Sequence, residues 1–495
     1  MAHPERGEGL VGPTGGTPRH RWTPPAPDRA SDVNLIVICI DSLRQDHVGH
    51  YRDAGGPATI FPGVRPPRTE HLDRFARGAL CLHNAYPANM PTIPIRHELM
   101  TGCFGLHERP WQPLQPSDLT IAQILGRQGY TCGLISDTYH YRAPGMNFHR
   151  GFHSYEWIRG NEYDPWVSSG TRREVQQYVN AHYPAEWRAR IAQYLANTDA
   201  FGRDRPEDWF TAQVAERAVA WLRAHREQRR RGVFLWIDSF DPHEPWDPPD
   251  PFDTCRPADY TGPRLIMPMG GLAADWATPE QIAQIRGLYA GEVAAVDAAL
   301  GPVFQALRDL DYMEDSVVLV LADHGHPLAD HGKFLKGADR MYSELLKVPF
   351  MLHVPNGPGN GRSSDALVQY PDVLPTLLDL LGLPQYAQTM TGRSFRGVVD
   401  MQASEHRAMT VSGYFAAVDR CLRDRRWSYI RRPQGQPDEL YDLTADPGEQ
   451  HNVVDAHPEA AARLLGSVGP QFLRGVVRQI KGVQGQYEMS SAAVD

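Results

Sequence analysis

Continuous apolar runs alternate along the chain with longer stretches in which apolar residues recur every three or four positions. The run VNLIVICID at 33–41 is β-rich and ends in a carboxylate, which is typical of a strand buried on both faces of a parallel sheet. Helical patterns followed by further buried runs occur in TIAQILGRQGYTCGLISD, in AERAVAWLRAHREQ with GVFLWIDSF, and in EVAAVDAALGPVFQALRDL with SVVLVLADHG. This alternation predicts an α/β fold with helices flanking a mostly parallel sheet.

Polar residues stand where three of these strands end: Asp41, the DPH of 241–243 and the DHG of 323–325. Ligands of open α/β sheets bind outside the carboxyl ends of the strands, so we expect the three clusters to converge. Asp323 and His324 can both ligate a transition metal, and Asp41 offers a second carboxylate. An Asp-His pair alone is more often a turn, but its place at the end of a buried strand favours a metal site.

After about residue 395 the alternation fades. AMTVSGYFAAVDRCLRDRRWSYIRRP and DELYDLTADPGEQHNVV predict short strands with turns, and a final helix is expected near AAARLLGSV. We divide the chain into a tail at 1–31, an α/β domain at 32–395, and a C-terminal subdomain at 396–495 with a small antiparallel sheet and terminal helix. The tail is rich in Pro, Gly and charge and lacks an apolar core, so it is predicted to be disordered.

Composition narrows the class of partner. The net charge of −9 argues against broad nucleic-acid binding, which needs clustered Lys and Arg. No run approaches the roughly 18 apolar residues of a membrane span, so no membrane partner is expected. The six cysteines show no CxxC spacing, and we expect a reducing, cytoplasmic location. The sequence leaves assembly into a homo-oligomer open.

The stretch MPTIPIRHELMTG at 90–102 predicts a helix that ends at its glycine. Thr92, with proline two residues on, suits the N-cap of that helix. A helix N-terminus also binds anions, and Arg96, one turn later, would reach the same oxygens with its planar donor fork. The alternative for Arg96 is a surface salt bridge with Glu98 or a neighbour.

These segments together resemble a sulfatase-type member of the alkaline phosphatase superfamily, and the likeness runs over 34–454. The matching stretches are NLIVICIDSLRQDHVGHY, RTEHLDRFARGALCLHNAYPANMPTIPIRHELMTG, DPHEPW, LADHGHPLADHGKFLKG and ELYDLTADPGEQHNVV. The resemblance implies an alkaline-phosphatase-like sheet sandwiched by helices, with 32–395 as the catalytic domain. It makes Asp41, Asp323 and His324 metal ligands, with Thr92 at the nucleophile position bridging to the metal.

The resemblance also implies four groups that act on the substrate. Arg96 would hold the oxygens of the transferring group, and His243 would contact the substrate or protonate the leaving group. Lys336 with His331 would complete the anion clamp.

Thr92 departs from the pattern, because most sulfatases carry there a Cys or Ser that is oxidised to formylglycine. Threonine, a secondary alcohol, would yield a ketone, so no formylglycine is expected. A group esterified to threonine must leave by a second attack from water or an acceptor. Threonine nucleophiles are familiar among the superfamily's phosphodiesterases, phosphonate hydrolases and phosphoethanolamine transferases.

The metal ligands depart as well, because calcium-dependent sulfatases usually carry Asp-Asn and a doubled Asp at the first strand, where this chain has Asp-His and Ser42. An imidazole ligand favours zinc or manganese, with iron or calcium as alternatives. A second metal would need residues such as Asp238, Asp241 and His243, and we expect a single divalent ion.

The segment TCGLISDTYHY replaces the Lys and His of a family motif TAxxGKWHLG by Ser136 or Asp137 and by Thr138, with Tyr139 and His140 beside them. We expect Asp137, Thr138 and Tyr139 to contact the substrate in a less cationic pocket. Such a pocket suits a diester or a ligand with a cationic group. Asp137 would meet that group, or else is an ordinary turn carboxylate.

The predicted function is metal-dependent hydrolysis of a small anionic ester, a phosphodiester or phosphonate monoester, with Thr92 as nucleophile. The alternatives are a sulfuric ester hydrolase that works without formylglycine and a transferase that passes the group from threonine to an acceptor. A pseudoenzyme would require lost metal ligands, yet Asp41, Asp323 and His324 are all present.

Overall fold

The computed structural model describes residues 33–53, 60–106, 108–141, 145–203, 205–228, 232–415 and 417–473, so the predicted disordered tail at 1–31 lies outside it. The strands are β1 (Asn34–Ile40), β2 (Leu80–Leu82), β3 (Ala85–Tyr86), β4 (Asn89–Met90), β5 (Thr131–Ser136), β6 (Ser154–Trp157), β7 (Val233–Ser239), β8 (Ser316–Ala322), β9 (Phe350–His353), β10 (Ser363–Ser364), β11 (Val368–Gln369), β12 (Thr410–Tyr414), β13 (Arg420–Arg423), β14 (Trp427–Arg431) and β15 (Glu439–Asp442). The helices are α1 (Gly49–Asp53), α2 (Glu70–Ala76), α3 (Thr92–Thr101), α4 (Ile121–Arg127), α5 (Ala185–Phe201), α6 (Phe210–Glu227), α7 (Pro279–Asp309), α8 (Tyr312–Asp315), α9 (Ser343–Leu346), α10 (Val373–Leu380), α11 (Arg396–Val399) and α12 (Pro458–Gly466).

The central sheet has the strand order β10-β2-β9-β8-β1-β7-β5-β6. Strands β8, β1, β7, β5 and β6 run parallel, whereas β9 is antiparallel to both of its neighbours. Every residue of β1, β7 and β8 is buried, as expected for strands covered on both faces. The predicted α/β fold with a mostly parallel sheet is confirmed.

The register of β1 brings its two neighbours to the same edge. Ile40 at the end of β1 pairs with Ser239 of β7 and with Ala322 of β8. Asp41 and Asp323 therefore leave the sheet side by side. The predicted convergence of the strand ends follows directly from this parallel register.

Helices flank the central sheet in two groups. The long α7 packs against α6 and α2, and α3 packs against α4 and α10. Capping boxes at Thr120 and Thr278 start α4 and α7, each with its hydroxyl accepting from a backbone N–H of the first turn. None of the helices in the described ranges is both long and apolar enough to span a bilayer.

The C-terminal region forms the predicted small sheet, in the order β15-β14-β13-β12-β4. Strands β12 to β15 pair antiparallel, and α12 packs on β13 and β14 over a separate apolar core that includes Leu422 and Leu464. The fifth strand, β4, comes from the segment just before α3 and pairs parallel with β12. The small sheet is thus joined to the chain that leads into Thr92, and the division at 395 stays a prediction.

Candidate active site

Helix α3 begins at Thr92, directly after β4 and Pro91. The prediction that Thr92 caps this helix is wrong, because Pro91 takes the N-cap position and no side chain makes a capping hydrogen bond. Thr92 is instead the first helical residue and is only 1% exposed. The helix ends as predicted at Gly102, whose φ of 67° lies in the left-handed region that favours glycine.

Arg96, one turn after Thr92, is fully buried among three carboxylates. Its Nη1 lies 2.6 Å from Asp323, its Nη2 lies 3.3 Å from Asp41, and its Nε and Nη2 donate to Asp238 at 3.0 and 2.8 Å. The alternative of a surface salt bridge with Glu98 is wrong, because Glu98 is itself buried and accepts from three backbone N–H groups. Arg96 therefore holds the strand ends together through Nε and Nη2, while Nη1, close to Asp323, makes no hydrogen bond among the described residues.

Asp238, on β7, is the acceptor that orients Arg96. Besides the guanidinium, it accepts from Thr138 Oγ1 at 3.0 Å, Tyr141 Oη at 2.5 Å and Trp236 Nε1 at 3.0 Å. A carboxylate with this many donors has no lone pair to spare for a metal. Asp238 thus supports the site, and Thr138, predicted to bind substrate, uses its hydroxyl for this internal bond.

The predicted metal ligands come together. One ligand atom each from Asp41, Asp323 and His324 lie within 4.8 Å of one another, and all three residues are buried. His324 donates Nδ1–H to the Gly325 carbonyl at 2.7 Å, which leaves the lone pair on Nε2, 3.5 Å from Asp323 and without a hydrogen-bond partner among the described residues. A buried imidazole nitrogen facing two carboxylates fits a divalent ion. We call Asp41, Arg96, Asp238, Asp323 and His324 the strand-end cluster.

Burial governs the protonation of this cluster. Burial and the charge of Asp323 raise the pKa of Asp41 well above its usual range. Burial lowers the pKa of His324 to about 4, although Asp323 opposes the shift. Burial would raise the pKa of Asp323, but His324 and Arg96 overcome it and lower that pKa to about 2. At neutral pH the imidazole is therefore uncharged, as a metal ligand must be.

Lys336 and His243 form a second pair of predicted site residues that meet. Lys336 Nζ lies 2.8 Å from His243 Nε2, and His243 Nδ1 donates to the Glu244 carbonyl at 2.8 Å. Burial and the charge of Lys336 hold the pKa of His243 well below its usual value. The ammonium is then the donor between them, and His243 has no proton on Nε2 with which to protonate a leaving group.

His331 does not join Lys336 in an anion clamp. Its Nδ1 lies 2.8 Å from Glu344 and its Nε2 lies 3.0 Å from the Glu449 carbonyl, while its ring stacks on Tyr342 at 3.7 Å. Both nitrogens are thus engaged where the α/β region meets the small sheet. His331 therefore links the α/β region to the small sheet.

Asp137 and Tyr139, both predicted to contact the substrate, differ in the contacts that their side chains make. The Asp137 carboxylate accepts from the backbone N–H of Phe240 at 2.7 Å and from Asn161 at 3.0 Å, so it is a structural carboxylate. The Tyr139 ring lies 5.6 Å from His140 and 5.7 Å from Tyr163. Of the two, Tyr139 alone has contacts that leave a substrate role open.

Two functional candidates, Glu244 and His326, were missed from the sequence, and His140 was noted beside Tyr139 without a role. The rings of His140 and His243 lie 6.2 Å apart, and Glu244 pairs with Lys336 at 3.1 Å. His326 is fully buried with neither nitrogen hydrogen-bonded among the described residues, 3.6 Å from Glu244. The available signals were the position of Glu244 after His243 in DPHEPW and the second histidine of DHGHP.

Comparison with known proteins identifies similar chains. The family model described as Sulfatase matches residues 33–383, and one described as N-sulphoglucosamine sulphohydrolase, C-terminal, matches 329–465. Arylsulfatase K of Gallus gallus is 23% identical over 501 residues, covering 92% of this chain and 85% of the relative. Endo-4-O-sulfatase of Bacteroides thetaiotaomicron is 23% identical over 497 residues, covering 89% and 92%. Phosphonate monoester hydrolase from Silicibacter pomeroyi shares the fold, with a TM-score of 0.66 and 23% identity over 88% of this chain and 94% of that one.

Proposed function

We propose a function from one premise, which is that the chain belongs to the sulfatase family and is a hydrolytic enzyme. In this proposal it hydrolyses phosphodiesters or phosphonate monoesters, with Thr92 as nucleophile. The observation that carries the proposal is the position of Thr92, whose side chain is a secondary alcohol, at the start of α3 and one turn from Arg96. Residues at i and i+4 share one face of a helix, so Thr92 faces the side on which Arg96 meets Asp41 and Asp323.

The family is metal-dependent, and the residue set of this chain fits one divalent ion. Asp41, Asp323 and the Nε2 of His324 would hold it, with the hydroxyl of Thr92 beside them. A bound metal lowers the pKa of such a hydroxyl and offsets the charge of the attacked oxygens. The imidazole ligand supports zinc or manganese over calcium.

The hydrogen bond between Lys336 and His243 indicates which of the two can donate a proton to the leaving group. Lys336 presents an ammonium that donates to His243 and to the carboxylate of Glu244, so Lys336 supplies the proton for the leaving group. His243 accepts from Lys336 and keeps it in place. Arg96 positions the strand-end carboxylates. The ester formed on Thr92 then requires a second attack by water, or by an acceptor alcohol or amine if the enzyme is a transferase.

Hydrolysis of sulfate esters without formylglycine is the second candidate. The names of the relatives favour it, since arylsulfatase K and endo-4-O-sulfatase are both sulfatases. The nature of the Thr92 side chain favours phosphoryl chemistry, because sulfate release by collapse of a formylglycine hydrate is closed to it.

Four esters of one leaving group separate these candidates: bis(p-nitrophenyl) phosphate, p-nitrophenyl phenylphosphonate, p-nitrophenyl phosphate and p-nitrophenyl sulfate. We expect the diester and the phosphonate to react fastest. Thr92→Ala should lower kcat/KM by about 10³-fold, whereas Thr92→Ser should retain measurable turnover. Mass spectrometry of the quenched enzyme should find a phosphoryl adduct on the peptide that contains Thr92.

Thr101→Ala is the matched control, because Thr101 stands at the other end of α3 and its hydroxyl donates to the His97 carbonyl. It should leave the rates unchanged. Full activity in Thr92→Ala would refute the proposed nucleophile. A faster sulfate ester would replace the first candidate by the second, and new esters formed with added glycerol or ethanolamine would reveal a transferase.

We also propose a cytoplasmic location, supported by the six cysteines, all of which are free thiols. The substrate in this proposal is a small anionic ester. Fractionation of cells that express the natural protein tests the location, and recovery from a secreted or periplasmic fraction would contradict it.

A further inference from the structure

A cavity of about 1000 Å³ opens between α6 and α7, away from the ligand candidates of the strand-end cluster. Its walls come from one face of each helix and from the segment that precedes α6. Asp41, Asp323, His324 and Lys336 are not among its lining residues. A volume of this size holds a small organic molecule.

Two carboxyl groups line the deep part of this cavity. Asp241 is 4% exposed and satisfied, since it accepts from Asn161 at 3.1 Å and from Thr211 at 2.9 Å. Glu292, on α7, is 3% exposed, and its Oε2 has no hydrogen-bond partner among the described residues. A buried acceptor without a donor is costly, so this oxygen is suited to accept from a ligand N–H group.

No cation of the described residues donates a hydrogen bond to Oε2 of Glu292. Two arginines, Arg203 and Arg264, act on Glu292 through their charge. Both are paired with Asp247, at 3.3 and 2.9 Å. Burial and the charge of Asp241 raise the pKa of Glu292 well above its usual range. A positively charged ligand would therefore meet two acids here, while the two nearby arginines are held by Asp247 and the arginines of the lining, Arg205 and Arg223, are exposed.

Part of the remaining lining is apolar, and its other charged side chains are exposed or half-buried: Arg205, Glu207, Asp208, Glu216 and Arg223. Phe201, Trp209 and Phe252 supply aromatic surface. Alanines from both helices leave the space that longer side chains would fill: Ala212, Ala215, Ala220, Ala295, Ala298 and Ala299. An apolar group about as large as a phenyl ring fits beside such walls, and aromatic faces also attract a nearby ammonium.

We propose that this cavity is a second ligand site, which takes a primary ammonium carried on an apolar group. The ammonium donates to Oε2 of Glu292, and the apolar part lies against the aromatic wall. The ammonium must carry an N–H because the unpaired oxygen needs a donor, which a quaternary ammonium lacks. The site does not rest on the proposed reaction at Thr92.

Titration calorimetry of the whole protein with benzylammonium and its neutral analogue benzyl alcohol tests this site. We expect benzylammonium to bind at least about tenfold more tightly than benzyl alcohol. Glu292→Gln keeps the shape and removes the carboxyl group that can ionise against the ammonium, and Ala299→Leu fills the cavity without changing charge. Each should weaken benzylammonium binding by about tenfold or more, with thermal unfolding confirming that both variants fold.

Glu216→Gln is the matched control, because Glu216 also lines the cavity but is exposed on α6. It should change the affinity by less than about threefold, as expected for a solvated charge. Equal affinity for the amine and the alcohol, or amine binding that survives both cavity variants, would overturn the proposal. So would absence of amine binding together with a dimer that Ala299→Leu dissociates, because the groove would then be an interface between two copies.

Discussion

Two buried groups of charge in this protein use the same kinds of residue and differ in how completely they are satisfied. The first is the strand-end cluster. The second, the C-terminal joint, ties the α/β region to the small sheet through His331, Ser343, Glu344, Arg423 and Glu449. In the joint, Arg423 and Glu449 lie 2.6 Å apart, and both nitrogens of His331 are engaged. In the strand-end cluster, the Nε2 of His324 faces two carboxylates and has no hydrogen-bond partner among the described residues.

This difference in hydrogen bonding indicates which charged groups stabilise the fold and which are available to a ligand. A saturated network stabilises the fold and has no capacity for a ligand. An orphaned buried nitrogen costs stability in the bare protein, and a ligand or metal that meets it recovers that cost. The two groups should therefore respond in opposite ways to mutation.

The largest effect is expected for His324→Ala. Loss of this proposed metal ligand should lower kcat/KM by about 10³-fold, equivalent to about 4 kcal/mol of transition-state stabilisation. The melting temperature of the metal-free protein should fall less than in the control below, because the lost bond from Nδ1 to the Gly325 carbonyl is partly offset by removal of an Nε2 that lacks a partner among the described residues. Steady-state kinetics, elemental analysis and thermal unfolding in chelator measure the three quantities.

His353→Ala is the control for this variant, because both nitrogens of His353 lie near backbone carbonyls, at 3.2 and 2.8 Å. It should lower the melting temperature and leave kcat/KM unchanged. If His324→Ala behaved in the same way as this control, with metal retained, the imidazole would be structural.

In the joint, Glu449→Ala should have the opposite balance of effects, with a large loss of stability and no loss of activity. It leaves the buried Arg423 without its carboxylate, and it also removes the acceptor for the Ser343 N–H at 2.6 Å. Breaking a buried ion pair by removing one partner costs about 3 kcal/mol, measurable by urea unfolding. The rate per folded molecule should not change.

The exposed pair of Arg426 and Asp442 provides the matched comparison on the same sheet. Asp442→Ala should have little effect on unfolding. The joint would lose its stabilising role if Glu449→Ala were equally mild, or if the double variant with Arg423→Ala were no more stable than the single one.

A smaller effect is expected for Asp238→Asn, which tests a positioning residue. The amide keeps the shape but loses the charge that orients Arg96 through two hydrogen bonds. We expect kcat to fall by about 10- to 100-fold while KM and bound metal change little. Asp137→Asn is the control, since that carboxylate bonds to a backbone N–H and to Asn161 and should affect stability alone. Equal kcat values in the two variants would contradict the role of Asp238.

The sequence predicted those features that follow from local pattern. Buried runs predicted the parallel strands, and the carboxyl ends of parallel strands share an edge. Asp41, Asp323 and His324 could therefore be grouped from the order of residues alone. The end of α3 at Gly102 could also be predicted from the local sequence.

The sequence could not reveal which side chains are already occupied. His331 stands in the same motif as Lys336, yet its partner Glu449 lies 118 residues further along the chain. Thr138 and Asp137 were chosen by position in a motif, whereas their hydrogen bonds run to Asp238 on another strand and to Phe240 just after it. Contacts between distant segments decide whether a polar residue is saturated, and no local pattern encodes them.

The smallest effect concerns the protonation of His331 in the joint. Burial alone would lower the pKa of His331, but the hydrogen bond and charge of Glu344 outweigh it and raise that pKa to about 9. A folded pKa above the unfolded value of about 6.5 means that the charged pair stabilises the fold fully below pH ~6.5 and loses this effect as the pH rises through about 9. His331→Gln should therefore lower the free energy of unfolding by about 1 kcal/mol at pH 6, after allowance for solvent screening of a partly exposed pair, and by much less at pH 9.5. Urea unfolding at pH 6, 7.5 and 9.5 measures the difference, and Glu344→Gln should abolish its pH dependence. A difference that stayed constant or grew with pH would mean that His331 is neutral in the joint, and the contrast with His324 would then rest on hydrogen bonding alone.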